Sequence, residues 1–153
     1  MKKIFEGGCQ CGAIAYRVIG VPVTLFACHC TECQRQSSSA FGMALWIKDP
    51  EVKLLSGQLK EWVREMPSGK KMSCQFCPNC GTRIFHKAVN QTQMLSIKPG
   101  TLNSTSSLMP VGHIWLSSKQ KWLDISKETI QYEGNPDSFE ELIAGWSKQN
   151  KQA

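Results

Sequence analysis

The segment Cys77-Pro78-Asn79-Cys80-Gly81 decides how this chain is interpreted, because it has the form of a tight turn that presents two thiols to one ion. The proline stiffens the bend, and the glycine permits the backbone conformation that closes it. Two cysteines separated by two residues in such a turn are typical of zinc knuckles. We therefore expect a pair of zinc ligands here, which needs two further ligands from elsewhere in the chain.

Cys9 and Cys11 are the candidates for the missing pair, since residues two apart on an extended chain point to the same face. Together with Cys77 and Cys80 they would form a closed tetrahedral site. Sixty-five residues separate Cys11 from Cys77, so this site would be no local finger. We expect a structural zinc that pins the N-terminal strand to the middle of the domain. Disulfides or unconnected buried thiols are the alternative.

The middle cluster of Cys28, Cys30 and Cys33 offers three thiols within six residues and no obvious fourth ligand. A zinc ion held by three protein ligands keeps one position for water or substrate, which is the arrangement of catalytic zinc. The pattern therefore suggests an enzyme. The alternative is a second closed structural site, for which the candidate fourth ligands are Cys74, His29, His86 and His113.

Cys74 is the one thiol that this division into two sites leaves over. If a strand over residues 71–76 runs straight into the turn, Cys74 points opposite to Cys77 and becomes a buried apolar thiol. A pair of Cys74 with Cys77 is also open, but it discards the turn chemistry of the proline and glycine. His29 lies between two cysteines of the middle cluster, so on an extended chain it points away from their metal.

The composition indicates one globular domain over residues 1–153, with 41% hydrophobic and 20% charged residues. No stretch reaches the roughly 18 apolar residues of a membrane span, and the N-terminus lacks the apolar run of a secretory peptide. We expect a cytoplasmic protein, where cysteines more often bind metal or catalyse than form disulfides. The net charge of +6 comes from scattered basic residues, so no nucleic-acid partner is expected.

The secondary-structure pattern predicts a mainly β fold with an amphipathic helix near the C-terminus, at about residues 136–149. Ser138 and Glu141 form a capping box, and apolar residues recur at helical spacing after it. A shorter helical turn begins at Thr31. The predicted strands are 14–18, 23–27, 41–47, 52–55, 59–66, 83–86, 94–98 and 113–116.

Three motifs in this order resemble the glutathione-dependent formaldehyde-activating enzyme family, which includes relatives of centromere protein V. They are Gly8-Cys9-Gln10-Cys11-Gly12, Cys28-His29-Cys30-Thr31-Glu32-Cys33 and Phe76-Cys77-Pro78-Asn79-Cys80-Gly81-Thr82. His113-Ile114-Trp115 followed by Trp122 is also similar to the family's C-terminal segment. The resemblance spans about residues 7–132, and it implies a compact, mainly β, small zinc-binding fold.

The resemblance also implies two zinc ions per chain. By this resemblance, a structural zinc would be held by Cys9, Cys11, Cys77 and Cys80, and a catalytic zinc by Cys28, Cys30 and Cys33. The family's named reaction joins formaldehyde to the thiol of glutathione and is classed as a carbon–sulfur lyase. Zinc suits that chemistry, because it deprotonates a coordinating thiol and delivers a thiolate at neutral pH.

Our leading hypothesis is therefore a cytoplasmic zinc-dependent carbon–sulfur lyase whose small-molecule partner is a thiol such as glutathione. The second hypothesis is a non-catalytic, zinc-stabilised thiol carrier or protein-binding module, which a closed middle site would favour. Basic side chains that could meet the carboxylates of glutathione are Arg35, Lys48, Arg64 and Arg83, although most such positions are solvated surface.

Overall fold

The structure is a computed structural model that describes residues 1–151. Its contacts divide the chain into two compact units. The first unit comprises Met1–Pro22 and Trp46–Ser107, and the second comprises Val23–Leu45 and the chain from Leu108 onward. Each unit contains one of the two cysteine clusters, so each cluster can be described within a single unit.

Strands dominate the described chain, and the mainly β prediction is confirmed. The strands are β1 Lys3–Gly8, β2 Ala15–Cys28, β3 Gly42–Ser56, β4 Lys60–Glu65, β5 Lys71–Phe76, β6 Arg83–Ala88, β7 Met94–Ile97, β8 Gly112–Ile114 and β9 Ile130–Gln131. The helices are α1 Thr31–Ser37 and α2 Glu140–Lys151, with short 3-10 turns at Pro99–Thr101 and Leu116–Ser118. Helix α1 begins at the residue predicted for it.

Two long strands replace four of the predicted short ones, because the segments 19–22 and 48–51 contain turn residues and were predicted as breaks between strands. Strand β2 continues through Pro22, which lies between the residues paired with β1 and those paired with β8. Strand β3 continues through Pro50, after Asp49 adopts a positive φ of 50°. Neither β1 nor β9 was predicted, since β1 ends in two glycines and β9 has only two residues.

In the first unit, β1 pairs antiparallel with β2, and β4, β5, β6 and β7 pair antiparallel in succession. Its strands follow the order β4-β5-β6-β7-β3-β2. Tyr16 and Phe85 are completely or almost completely buried, and their rings meet edge to face with centroids 4.8 Å apart. The hydroxyl groups of Tyr16 and Thr101 lie 2.8 Å apart, so the one polar atom of the Tyr16 ring has a partner.

The second unit combines parallel pairing of β2, β8 and β9 with helix α2. The C-terminal helix is confirmed, although it begins at Glu140 rather than 136, because Ser138 Oγ accepts the backbone N–H of Glu140 and caps it. Leu142 is completely buried, and its Cδ2 lies where a side chain on Gly112 would be. Thr24 Oγ1 donates to the Leu142 carbonyl oxygen at 3.1 Å.

Over residues 1–151, the helices are all too short or too polar to cross a lipid bilayer. This agrees with the absence of a long apolar run in the sequence.

We expect Leu142→Ala to lower the free energy of unfolding by about 2–5 kcal/mol, because it leaves a cavity under the only fully buried side chain of α2. Urea denaturation followed by circular dichroism measures this change. Lys148→Ala is the matched control on an exposed position of the same helix, with an expected change within about 0.5 kcal/mol. Equal effects of the two substitutions would contradict the packing role of Leu142.

Candidate metal centres

Four cysteine sulfurs meet in the first unit. The Sγ atoms of Cys9, Cys11, Cys77 and Cys80 all lie within 4.8 Å of one another. Two of the separations are 3.5 Å, from Cys9 to Cys11, and 3.8 Å, from Cys11 to Cys77. A tetrahedral ion with metal–sulfur bonds of about 2.3 Å requires sulfurs about 3.8 Å apart. The four thiols therefore fit a single tetrahedral metal ion.

Two glycine turns bring these thiols together. Cys9 follows β1, and the turn after it is closed by Gly12 N–H donating to the Cys9 carbonyl oxygen at 3.1 Å. Cys77 follows β5, and Gly81 N–H donates to its carbonyl oxygen at 2.9 Å. Both glycines have positive φ, 79° and 76°, which side chains rarely allow. The predicted role of Gly81 in closing the turn is thus present in the structure.

Hydrogen-bond donors surround the sulfurs of this four-cysteine cluster. Ile14 N–H donates to Cys9 Sγ at 3.1 Å, and Asn79 Nδ2 donates to Cys11 Sγ at 3.1 Å. The hydroxyl and backbone N–H of Thr82 bind Cys80 and lower the pKa of its thiol to about 5. Donors of this kind stabilise thiolates, the form in which cysteine binds metals.

Three further sulfurs meet in the second unit. Cys28 ends β2, Cys30 is the N-cap of α1, and Cys33 lies in its first turn, with all three Sγ atoms within 4.8 Å. Cys33 N–H donates to Cys30 Sγ at 3.3 Å. In the described part of the chain, no histidine, carboxylate or further cysteine joins this group. The three-cysteine cluster therefore offers a metal ion three protein ligands.

The hydrogen bonds within the three-cysteine cluster favour one thiolate over the others. Bonds from Cys28 and Cys33 lower the pKa of Cys30 to about 2, despite its partial burial. The pKa of Cys28 is raised by its hydrogen bonds with Cys30 and Cys33 and by burial. Cys28 is buried, whereas Cys30 and Cys33 are partly exposed. The accessible side of the cluster is therefore the side of Cys30 and Cys33.

His29 lies between two of these cysteines but faces away from them, as alternation along an extended chain predicts. Its ring is completely buried, 5.2 Å from the ring of Phe41, and its Nε2 lies 2.9 Å from Nδ1 of His113. Burial, with the charges of His113 and Lys119, lowers the pKa of His29 to about 4. Burial also lowers the pKa of His113, so the two rings form a neutral pair.

The backbone of His29 is fixed by three hydrogen bonds. Its N–H donates to the Ile114 carbonyl oxygen at 3.0 Å. Its carbonyl oxygen accepts from Gln34 Nε2 at 2.8 Å and from Ser118 Oγ at 2.9 Å. Gln34 Nε2 also donates to the Ser118 carbonyl oxygen at 2.9 Å. These bonds hold the peptide that separates Cys28 from Cys30, and with it the spacing of their sulfurs.

Sequence reasoning missed Gln34 and Ser118. Both side chains bind backbone carbonyl groups, and a backbone acceptor leaves no trace in residue type or spacing. Trp115, which belongs to the C-terminal segment of the family resemblance, adopts a positive φ of 59° and is 38% exposed. Such a conformation is unusual for a bulky residue, and the sequence does not indicate it.

The two remaining candidate ligands belong to the first unit. Cys74 is buried, as expected, and lies opposite His86 in the pairing of β5 with β6. Burial raises the pKa of its thiol. Its surroundings are less apolar than expected, because the positive charges of Arg83, Lys98 and Arg64 act on it. Neither Cys74 nor His86 joins a metal-ligand group among residues 1–151.

We expect Gln34→Ala to weaken metal binding by the three-cysteine cluster by about 10–100-fold, because outer partners that orient metal ligands have effects of this size. Cobalt(II) reports binding through its thiolate absorption, and competition with a chelator measures the affinity. Arg35→Ala is the control, on an exposed position of the same helix. An unchanged cobalt affinity in Gln34→Ala would show that the peptide is held without this side chain.

The chain resembles known proteins in both sequence and fold. The model of the glutathione-dependent formaldehyde-activating enzyme family matches residues 4–118 and so includes all eight cysteines. The predicted resemblance extended further, to about residue 132, and the C-terminal helix lies outside both. No curated protein sequence matches the chain at a significant level.

A crystal structure of a Rhodobacter sphaeroides protein, from a structural genomics programme, resembles the chain with a TM-score of 0.50 and 17% sequence identity. The match covers 67% of this chain and 91% of that protein, and at this identity it concerns the fold alone. The family model, in contrast, matches the sequence itself over most of its length. The chain therefore belongs to the glutathione-dependent formaldehyde-activating enzyme family.

Proposed function

We propose that this protein is a cytoplasmic, single-domain, zinc-dependent carbon–sulfur lyase that forms or cleaves the adduct of a small thiol and an aldehyde. Glutathione is the first candidate thiol and formaldehyde the first candidate aldehyde, in keeping with the family. The observation that carries the proposal is the three-cysteine cluster, which no described side chain completes to four ligands. Catalytic zinc sites have three protein ligands and one open position.

The reaction is the addition of a thiol to a carbonyl group. The sulfur–carbon bond forms while the carbonyl π pair moves to oxygen, and the proton lost by the thiol is returned to that oxygen through water. Zinc, when bound, supplies the acidity that makes a thiol available as thiolate at neutral pH. Cleavage of the adduct is the same sequence in reverse.

The protein's own residues would hold the ion and leave one side of it accessible. Cys28 provides a buried thiolate, and Cys30 and Cys33 provide partly exposed ones. Three thiolates give the loaded cluster a net charge of −1, which limits its strength as a Lewis acid and favours easy release of a fourth ligand. Gln34 and Ser118 would keep the peptide of His29 in place while that ligand exchanges.

The four-cysteine cluster would hold a second zinc ion with a structural role. Its four thiols complete a tetrahedron and leave no position for a substrate. The ion would tie the end of β1 to the turn after β5 within the first unit. Two zinc ions per chain are thus proposed, with different roles for the same ligand type.

A non-catalytic thiol carrier is the second candidate. The closed middle site that would favour it is not seen, because no histidine or further cysteine of the described residues joins the three-cysteine cluster. What favours a carrier is that His29 and His113 bind each other, so that neither is placed as a general base at the sulfurs. A carrier would bind glutathione at the zinc ion but would not accelerate exchange of the adduct. Two-dimensional exchange NMR of glutathione with formaldehyde distinguishes the two, because only an enzyme raises the exchange rate.

We expect native mass spectrometry to find two zinc ions per chain after purification in buffered zinc. Addition of glutathione to the same sample should produce a chain that carries two zinc ions and one thiol. A mild chelator should remove the ion of the three-cysteine cluster first, because that cluster has one ligand fewer. Two zinc ions with no thiol bound, whichever small thiol is added, would contradict an open site.

We expect Cys30→Ser to lower the exchange rate by at least about 100-fold while the melting temperature changes little. Cys77→Ser should instead lower the melting temperature strongly, because the free energy of structural zinc binding is free energy of folding. Cys74→Ala is the control thiol variant, and it should retain both zinc ions. Equal losses of thermal stability in Cys30→Ser and Cys77→Ser would overturn the division of roles.

A further inference from the structure

One face of the first unit carries a row of side chains that runs across four strands. Trp62, Cys74, His86 and Ser96 are direct partners in the pairing of β4 with β5, β5 with β6, and β6 with β7. Residues directly opposite each other in antiparallel strands project from the same face. Trp62 is 51% exposed, whereas Cys74 is buried and His86 and Ser96 are half-buried, so the row is most accessible at Trp62.

A β-bulge adds Arg83 to this face. Gln75 pairs with Phe85 but Phe76 pairs with Arg83, so β6 has one extra residue at this point. Bulges of this kind change the direction of a side chain. Here the Arg83 guanidinium lies 5.8 Å from the centroid of the Trp62 ring, and its Nη1 lies 2.9 Å from His86 Nε2.

The hydrogen bond with Arg83 defines the protonation of His86. Arginine is always a donor, so His86 Nε2 accepts and the imidazole is neutral. Burial and the positive charges of Lys98, Arg83 and Arg64 agree with this, since together they lower the pKa of His86 to about 2. The same three cations act on Cys74, as described above. The uncharged side chains of Cys74 and His86 thus lie among three positively charged side chains.

These cations come from three different strands or strand ends. Arg64 lies two residues after Trp62 on β4, so it projects from the same face as the row. Lys98 follows the end of β7, and its charge acts on both His86 and Cys74. Arg64, Arg83 and Lys98 are all half-buried. Positive charges in such positions are screened less by salt than those of fully exposed side chains.

We propose that this cationic face, formed by Trp62, Arg64, Arg83, His86 and Lys98, binds a small ligand that carries a carboxylate or phosphate group. Guanidinium groups match the oxygens of both anions with two parallel hydrogen bonds, and a lysine adds charge without a fixed direction. The exposed part of the Trp62 ring offers apolar contact to the rest of the ligand. All five residues belong to the first unit, and none is a member of either cysteine cluster.

Titration with two anions at constant ionic strength tests the proposal. Inorganic phosphate and succinate serve as probes, and they separate phosphate-bearing from carboxylate-bearing ligands. Saturable binding of at least one should change the tryptophan fluorescence, and Trp62→Phe should abolish that change. The imidazole resonances of His86 in histidine NMR at neutral pH should also shift in a saturable way when the anion is added, because its ring lies beside Arg83.

Arg83→Gln should weaken anion binding at least tenfold. Lys87→Gln is the matched control, because it removes the same charge from a position four residues along the same strand, on the opposite face. Equal weakening by both variants would show a non-specific effect of net charge and overturn the proposal, as would the absence of saturable binding by either anion. If Arg83→Gln fails to fold, Arg64→Gln and Lys98→Gln provide the same comparison.

Discussion

The mutual approach of four cysteine sulfurs is the constraint on which the first unit depends. Four sulfurs within 4.8 Å of one another would repel as thiolates, unless a cation lies between them. The turns that carry them use positive φ at Gly12 and Gly81, so the backbone is already shaped for this approach. Because Cys11 and Cys77 lie far apart in sequence, an ion at this point would close a long loop, and its binding energy would become folding energy.

The three-cysteine cluster of the second unit differs from the four-cysteine cluster, because its three thiols leave one position of a tetrahedral ion without a protein ligand. A closed cluster can rely on the ion to fix its ligands, but an open one must fix them even when its fourth ligand leaves. The backbone of His29 meets this need, since its N–H and carbonyl oxygen are held by Ile114, Gln34 and Ser118. In a metal-loaded cluster, protein hydrogen bonds would thus hold the ligands in the place of a fourth sulfur.

The spacing of the cysteines predicted which thiols meet, because metal ligation requires several donors of one chemical type and few patterns supply them. Alternation along the chain also predicted that His29 faces away from the cluster. The lengths of β2 and β3 were not predictable in this way, since Pro22 and Pro50 read as breaks yet lie where the strands tolerate them. A proline has no N–H to donate, so a strand tolerates it only where that position faces no hydrogen-bond acceptor on a neighbouring strand.

The site's supporting residues were beyond sequence reasoning for another reason. Gln34 and Ser118 bind carbonyl groups, which every residue has, so no pattern marks them. Arg64 and Arg83 were candidates for carboxylate binding, but the sequence did not show that they lie together with Lys98, because the three residues are scattered along the chain and become neighbours only in the fold. A bulge, which depends on the pairing itself, then turns Arg83 toward the others.

The same strand pairing places β4 at the end of the strand order, and its charges are arranged against pairing with a second copy. Strand β4 has Lys60 and Arg64 on one face, with Glu61 and Glu65 on the other. A second copy that pairs antiparallel about a two-fold axis must place residues of the same face opposite each other. Pairing centred on Trp62 sets Lys60 against Arg64, and pairing one residue later sets Glu61 against Glu65. Both registers oppose like charges, so the charges that attract a small anion also oppose extension of the sheet by an identical chain.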